Sequence, residues 1–164
     1  MTKIILHGCN GRMGQMLTGL LKKDPQAEVV AGVDGYTGIA NDYPVFPSID
    51  ECNVQADVVI DFSNAKAADG LLDYCVRTKT PVVLCTTGLS EEQLAKVEEA
   101  AKETAVLKSA NMSLGINLLM KLLKEAAPTL AAAGFDIEIV EKHHNQKLDA
   151  PSGTALALAD SINE

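Results

Sequence analysis

Short β-branched runs alternate along the chain with longer stretches whose apolar positions recur at three- and four-residue intervals. That alternation is the signature of parallel βαβ units. Ile4, Ile5 and Leu6 form a first strand, and residues 12–23 then set Met13, Met16, Leu17, Leu20 and Leu21 on one helical stripe. A second strand covers 28–34, followed by a loop over 35–47 rich in Gly, Pro, Asp and Asn. Val58, Val59 and Ile60 make a third strand, 65–78 a helix and 81–85 a fourth strand. Ser90 with Gln93 reads as a capping box opening the next helix, because each side chain can satisfy an orphan amide there. A short fifth strand spans 105–108.

Beyond it the pattern predicts an apolar helix over 114–127, a stop over 128–134, an alternating strand over 135–139 and a last helix over 155–162. No repeat or low-complexity linker interrupts the chain. The expected fold is α/β: a Rossmann-like parallel sheet with helices on both faces over 1–113, then the start of an α+β domain over 114–164. A strand with Phe135, Ile137 and Ile139 on one face needs hydrogen-bonded neighbours and a covering layer. Those are expected outside this segment or from another subunit, which makes 114–164 an incomplete domain.

Composition narrows the function classes. The 164 residues carry 14 Lys+Arg against 22 Asp+Glu, a formal charge of −8. This opposes general nucleic-acid binding or adhesion to anionic membrane, both of which need a basic face. An anionic ligand must be caught locally. Cys9, Cys52, Cys75 and Cys85 show no metal-ligand spacing, so no metal site is expected, and they read as reduced, buried thiols. With no signal peptide and no membrane-length run, the expected compartment is the cytoplasm.

Between the first strand and first helix lies Gly8-Cys9-Asn10-Gly11-Arg12-Met13-Gly14. Glycines there permit a tight turn and close backbone approach, while the helix N-terminus offers free amides to a pyrophosphate. The spacing is G-x-x-G-x-x-G, with Cys9 where the commoner motif has a glycine, so a turn that serves packing alone stays open. Asp34 ends the second strand about 20 residues on, where a carboxylate would accept bonds from adenosine ribose hydroxyls. Gly35 follows it and offers no cation for a 2′-phosphate, which favours NADH over NADPH, although Arg12 is a nearby substitute.

Past the fourth and fifth strands, Cys85, Thr86 and Thr87, and then Ala110, Asn111, Met112 and Ser113, stand where an open α/β sheet binds ligands. They can line a nicotinamide ribose, or equally serve as a turn and a helix cap. The densest chemistry is E-K-H-H-N-Q-K-L-D-A-P-S-G-T-A over 141–155. His143 and His144, bracketed by Lys142 and Lys147, form a cationic island suited to an anionic substrate. A histidine or lysine there can deliver a proton. Ser152, Gly153 and Thr154 precede the last helix, where hydroxyls and free amides can hold a carboxylate as well as cap the helix.

Taken together, these motifs, with D-F-S at 61–63 and T-T-G at 86–88, resemble the 4-hydroxy-tetrahydrodipicolinate reductases (dihydrodipicolinate reductases) of bacterial and plant lysine biosynthesis. The resemblance runs the length of the chain, and E-K-H-H-N-Q-K-L-D-A-P-S-G-T-A is its most specific part. It implies an NADH- or NADPH-dependent reduction of a cyclic dicarboxylate in the diaminopimelate route, with loss of water, by a homotetramer. It further implies His143 as proton donor or acceptor and Lys147 as second donor, with His144, Gly153 and Thr154 holding substrate carboxylates. Gly8, Cys9, Asn10, Gly11, Arg12, Met13, Asp34, Cys85, Thr86, Thr87, Ala110, Asn111, Met112 and Ser113 would contact the dinucleotide. Met112 departs from the family's usual phenylalanine and Cys85 from its usual glycine. The alternatives are a non-catalytic NAD-binding fragment and another nicotinamide-dependent oxidoreductase acting on a small dicarboxylate.

Overall fold

In the computed structural model, which describes residues 1–145 and 150–163, the strands assemble into one parallel sheet of order β3-β2-β1-β4-β5-β6. These strands are β1 (Thr2–His7), β2 (Ala27–Val33), β3 (Val45–Phe46), β4 (Val58–Asp61), β5 (Val82–Leu84) and β6 (Val106–Lys108). The helices are α1 (Arg12–Leu21), α2 (Ala65–Thr78), α3 (Glu91–Ala101), α4 (Leu114–Ala132) and α5 (Gly153–Asn163). Every strand pair is parallel, and β1 pairs with both β2 and β4. The order therefore reverses beside β1, and a doubly wound sheet opens its ligand crevice at the carboxyl ends of strands flanking such a point.

The near-continuous apolar runs of the central strands reflect burial on both faces. On one face Ile5, Val59, Val82 and Leu84 pack with Leu71, Leu72 and Cys75 of α2 and Val97 and Ala100 of α3. On the other, Ile4, Leu6 and Cys9 pack with Leu17 and Leu21 of α1 and with Tyr43. All four cysteines are buried and free. The Ser90–Gln93 capping box forms as its spacing predicts.

β3 lies inside the stretch read as loop. Only two residues long and set between Pro44 and Pro47, it carries no period to detect, yet Gly32 N–H donates to Pro44 O and Asp34 N–H to Phe46 O. A second correction concerns α4, which runs through Pro128 and does not stop there. Gly134 ends it: with φ +84, its N–H bonds Ala131 O while Phe135 N–H bonds Leu130 O, the pairing of a glycine-terminated helix. Thirdly, residues 135–139 form no strand. A strand exists only through a hydrogen-bonded neighbour, and among the described residues every strand belongs to the one sheet before residue 109. Phe135, Ile137, Ile139 and Val140 are exposed, as are Leu114, Leu118 and Leu122 of α4.

The chain divides into two compact units, Met1–Ser109 and Ala110–Glu164. The division precedes the boundary drawn from sequence, so residues 110–113 fall in the second unit. Their hydrogen bonds explain it: Asn111 Nδ2 donates to Thr154 Oγ1, and Asn117 Nδ2 donates to Asn111 O.

Two glycines of α1 separate local from tertiary demands. A Cβ on Gly19 would meet open space, whereas one on Gly14 would collide with the backbone carbonyls of Gly8 and Cys9. In urea unfolding, Gly19→Ala should stabilise the first unit by about 0.5–1 kcal/mol, and Gly14→Ala should destabilise it despite the same gain in helix propensity.

Candidate functional site

The first unit holds a cavity of about 450 Å³ at the carboxyl ends of β1, β2 and β4, lined among others by His7, Gly8, Gly11, Asp34, Ser63 and Lys66. Its floor is the turn between β1 and α1. Gly8 sits at φ +80, and a Cβ there would lie 2.6 Å from Phe62 O and 2.8 Å from Ser63 N. Both facts require glycine. α1 then starts on Gly11 with no side-chain cap, whereas Asn64, Ser90, Ser113 and Ser152 each cap the helix that follows them. The first amides of α1, at Arg12, Met13 and Gly14, have no intrahelical partner and carry the positive end of the helix dipole.

The other loop amides are already committed. Gly8 N–H donates to Val33 O at 2.8 Å, Gly11 N–H to Gly8 O at 3.2 Å and Asn10 N–H to Asp34 Oδ2 at 2.9 Å. Asp34 also accepts from Tyr36 N–H through Oδ1 at 2.9 Å. Each oxygen of this cavity-lining carboxylate thus takes one backbone bond and keeps further acceptor capacity. The Asn10 amide joins Tyr36 O and Asn41, tying the glycine turn to the β2–β3 loop. The Cys9 side chain is fully buried and turned into the α1 face of the sheet, so only its backbone can meet a ligand. Its thiol is pushed up to about 11, first by burial and then by Asp34. Arg12 and Met13 are exposed.

Sequence reasoning missed the cluster beside the turn. His7 and Asp61 end the paired strands β1 and β4 in register, with His7 Nδ1 2.8 Å from Asp61 Oδ1. Ser63 donates to the same oxygen from Oγ at 2.6 Å and from N at 3.2 Å, and Thr86 Oγ donates to Asp61 Oδ2 at 2.6 Å. Thr86, expected at the cofactor, therefore spends its hydroxyl proton on a carboxylate with no solvent exposure. Burial pushes the Asp61 carboxyl up, but the His7 hydrogen bond and attraction, then Ser63 and Thr86, outweigh it and hold it below the usual carboxylate value. Cys85 is buried, its thiol pushed up to about 11 by burial and then by Asp61, while Thr87 is exposed. D-F-S at 61–63 and T-T-G at 86–88 stood out as motifs, but nothing in the sequence joined them to His7 or to one another.

In the second unit, Glu141 joins two parts of the histidine motif. Its Oε1 accepts from Ser152 N–H at 2.9 Å, and His143 Nδ1 stands 3.3 Å from its Oε2. Ser152 is buried, and its Oγ accepts from Ala155 N–H at 3.0 Å to cap α5. Thr154 meets Asn111, while Ser113 caps α4 and Met112 is exposed. His143 and His144 are exposed, Gly153 is half-buried, and Ala110 is exposed. Lys147 lies outside the described residues. No metal-binding cluster occurs among the described residues, and no helix of theirs is long and apolar enough to cross a membrane.

Residues 2–112 match the family described as dihydrodipicolinate reductase, N-terminus, and residues 115–164 match dihydrodipicolinate reductase, C-terminus. A 4-hydroxy-tetrahydrodipicolinate reductase of Caldanaerobacter subterraneus subsp. tengcongensis is 57% identical over 164 residues, covering 100% of this chain and 64% of that protein. One from Clostridium perfringens is 50% identical, covering 100% of this chain and 66% of that protein. The chain thus spans less than two thirds of the length of these curated relatives. Among solved structures, the dipicolinate-bound dihydrodipicolinate reductase of Paenisporosarcina sp. TG-14 aligns with TM-score 0.76 at 30% identity, over 99% of this chain and 65% of that one. A WlbA dehydrogenase in complex with NADH and UDP-GlcNAcA, from Chromobactrium violaceum, shares the fold at TM-score 0.60 and 19% identity, over 79% of this chain and 40% of that one.

Asp61 makes the first unit acid-sensitive. A carboxyl held low in the folded state contributes stability that is complete above its unfolded value near 3.9 and fades as pH falls through the lower folded value. Asp61→Asn should cost on the order of 1–3 kcal/mol in urea melts at pH 7, because the four donors around it lose their anion. The gap from the unaltered protein should shrink steadily below about pH 4.

Proposed function

Because this chain belongs to the dihydrodipicolinate reductase family, we propose that it carries the cofactor domain and proton-transfer motif for reducing 4-hydroxy-tetrahydrodipicolinate to tetrahydrodipicolinate with NADH or NADPH. One observation carries this reading: Gly11, at the uncapped start of α1, and Asp34 line the same cavity. That pairing suits a dinucleotide, with pyrophosphate at the amides of Arg12, Met13 and Gly14 and ribose hydroxyls at Asp34. Cβ-free backbone at Gly8 and Gly14 admits the close approach such a ligand needs. When bound, the nicotinamide supplies a hydride. Cys85, Thr86, Thr87, Ala110, Asn111, Met112 and Ser113 complete the cofactor's surroundings in this reading.

The chain's own part in the chemistry is proton transfer and anion binding. His143, oriented by Glu141, and Lys147 hold the protons that the elimination of water and the reduction require. His144, Ser152, Gly153 and Thr154 hold the substrate carboxylates. Two carboxylates match two clamps: a cationic one at Lys142 to Lys147 and a helix-terminal one at α5. The dipicolinate bound by the Paenisporosarcina relative is a planar dicarboxylate of this kind. Gly35 after Asp34 favours NADH. The reading is of a cytoplasmic homo-oligomer.

Calorimetry tests the proposal. NADH should bind the chain more tightly than NADPH, and pyridine-2,6-dicarboxylate should bind after it. Failure of NADH to bind overturns the cofactor assignment, and NADH binding without the dicarboxylate favours a nucleotide-binding role alone. In the active oligomer, His143→Ala and Lys147→Ala should lower kcat about 10²–10⁴-fold and leave NADH affinity within about twofold. Equal losses in both would count against these roles.

A further inference from the structure

The His7–Asp61 pair is not needed to explain the phosphate, Asp34 or the histidine motif, yet it occupies the crossover point of the sheet and opens onto the cavity. Asp61 is fully buried, and its four donors leave it no role but acceptor. An ionised carboxylate cannot donate, so the His7 nitrogen facing it must carry hydrogen. In the neutral ring this fixes the tautomer: Nδ1 protonated, Nε2 a bare lone pair. His7 is only 6% exposed, it lines the cavity, and its side chain's sole hydrogen bond among the described residues is the one from Nδ1. Nε2 of the neutral ring is therefore an acceptor with no partner among the described residues, on a side chain that lines the cavity.

Ser63 undergoes the same sorting. Its hydroxyl hydrogen goes to Asp61, so its oxygen can only accept from the cavity side. The cavity has a donor edge at α1 and an acceptor wall built from His7 and Ser63. A phosphate suits the first and is repelled by the second.

We propose that His7 is a positioning residue for the nucleotide, its Nε2 accepting a hydrogen bond from a ribose hydroxyl of the dinucleotide. The proposal rests on the cofactor reading above and adds the acceptor wall to it. Asp61 acts through His7 by holding the ring in one tautomer and orientation, as a carboxylate does for a metal-bound or catalytic imidazole. A bound nucleotide that shielded Nε2 without offering it a donor would leave an unpaired acceptor, so a hydroxyl is favoured at this point.

The test uses nitrogen-15 NMR of the unaltered chain together with calorimetry. Before ligand, His7 should show the Nδ1–H tautomer with an unprotonated Nε2, and NADH should shift the Nε2 resonance in the direction of an accepted hydrogen bond. His7→Ala should weaken NADH about five- to tenfold, the worth of one neutral hydrogen bond. Running ADP alongside locates the hydroxyl: equal weakening places it on the adenosine half, and weakening of NADH alone places it on the nicotinamide half. A ring protonated on both nitrogens, or an Nε2 resonance unmoved by NADH that binds well, overturns the proposal even if the alanine variant does not fold. Absence of NADH binding to the unaltered chain overturns this inference and the cofactor reading together. Binding that survives His7→Ala unchanged, with a moved Nε2, assigns the shift to something other than a hydrogen bond and also overturns it.

Discussion

The turn that leaves β1 runs too close to its neighbours to carry side chains, and most of the first unit's architecture depends on that proximity. Gly8 touches the backbone of residues 62 and 63, while Gly14 packs on the carbonyls of Gly8 and Cys9. The first contact locks the end of β1 to the end of β4. The second brings α1 back across the sheet at once, so that Leu17 and Leu21 reach the β1 face. A Cβ at Gly8 would force apart the strand ends that hold His7 against Asp61, and one at Gly14 would push α1 off the turn. The close turn and the buried His7–Asp61 hydrogen bond are one construction, because the backbone contact sets the register in which the side chains meet.

That construction also explains how a chain of formal charge −8 can present the local positive potential that the proposed cofactor site requires. The positive potential at the β1–α1 turn comes from backbone amides and a helix dipole, which act within one turn of the helix. Overall charge acts over roughly a Debye length of 8–10 Å in solution and is largely screened. Withholding a side-chain cap from α1 is therefore the decisive step. An Asn, Ser or Asp at Gly11 would satisfy one of those amides, as Asn64 does for α2 and Ser90 for α3.

Much of this was legible in the chain because period and turn chemistry are local. The helices over 12–23 and 65–78, the capping box at Ser90 and the glycine turn all depend on residues within a few positions of one another, although of the α1 stripe only Leu17 and Leu21 pack on the sheet while Met13, Met16 and Leu20 are exposed. Failures came where a partner distant in sequence decides. β3 exists only because β2 offers an edge to a two-residue segment between prolines. Residues 135–139 alternate as a strand would, but no neighbour among the described residues lets them become one. Pro128 looked like a terminator, yet its restricted φ is helical and a helix can continue past the bond it loses; Gly134 supplies the true stop.

The same distinction governs the site. Residues whose backbone must approach its neighbours closely, such as Gly8 and Gly14, advertise themselves by spacing. Asp61, Glu141 and Asn41 do not, because each works by holding another residue: Asp61 orders His7, Ser63 and Thr86, Glu141 joins His143 to the α5 cap, and Asn41 steadies Asn10. A buried carboxylate at the end of an apolar strand resembles an ordinary loop aspartate until the fold supplies its donors. Its effect is to remove ambiguity, since hydroxyls and imidazoles that could donate or accept are each left with one role. The chemistry of the cavity wall is thereby decided one layer behind the surface a ligand touches.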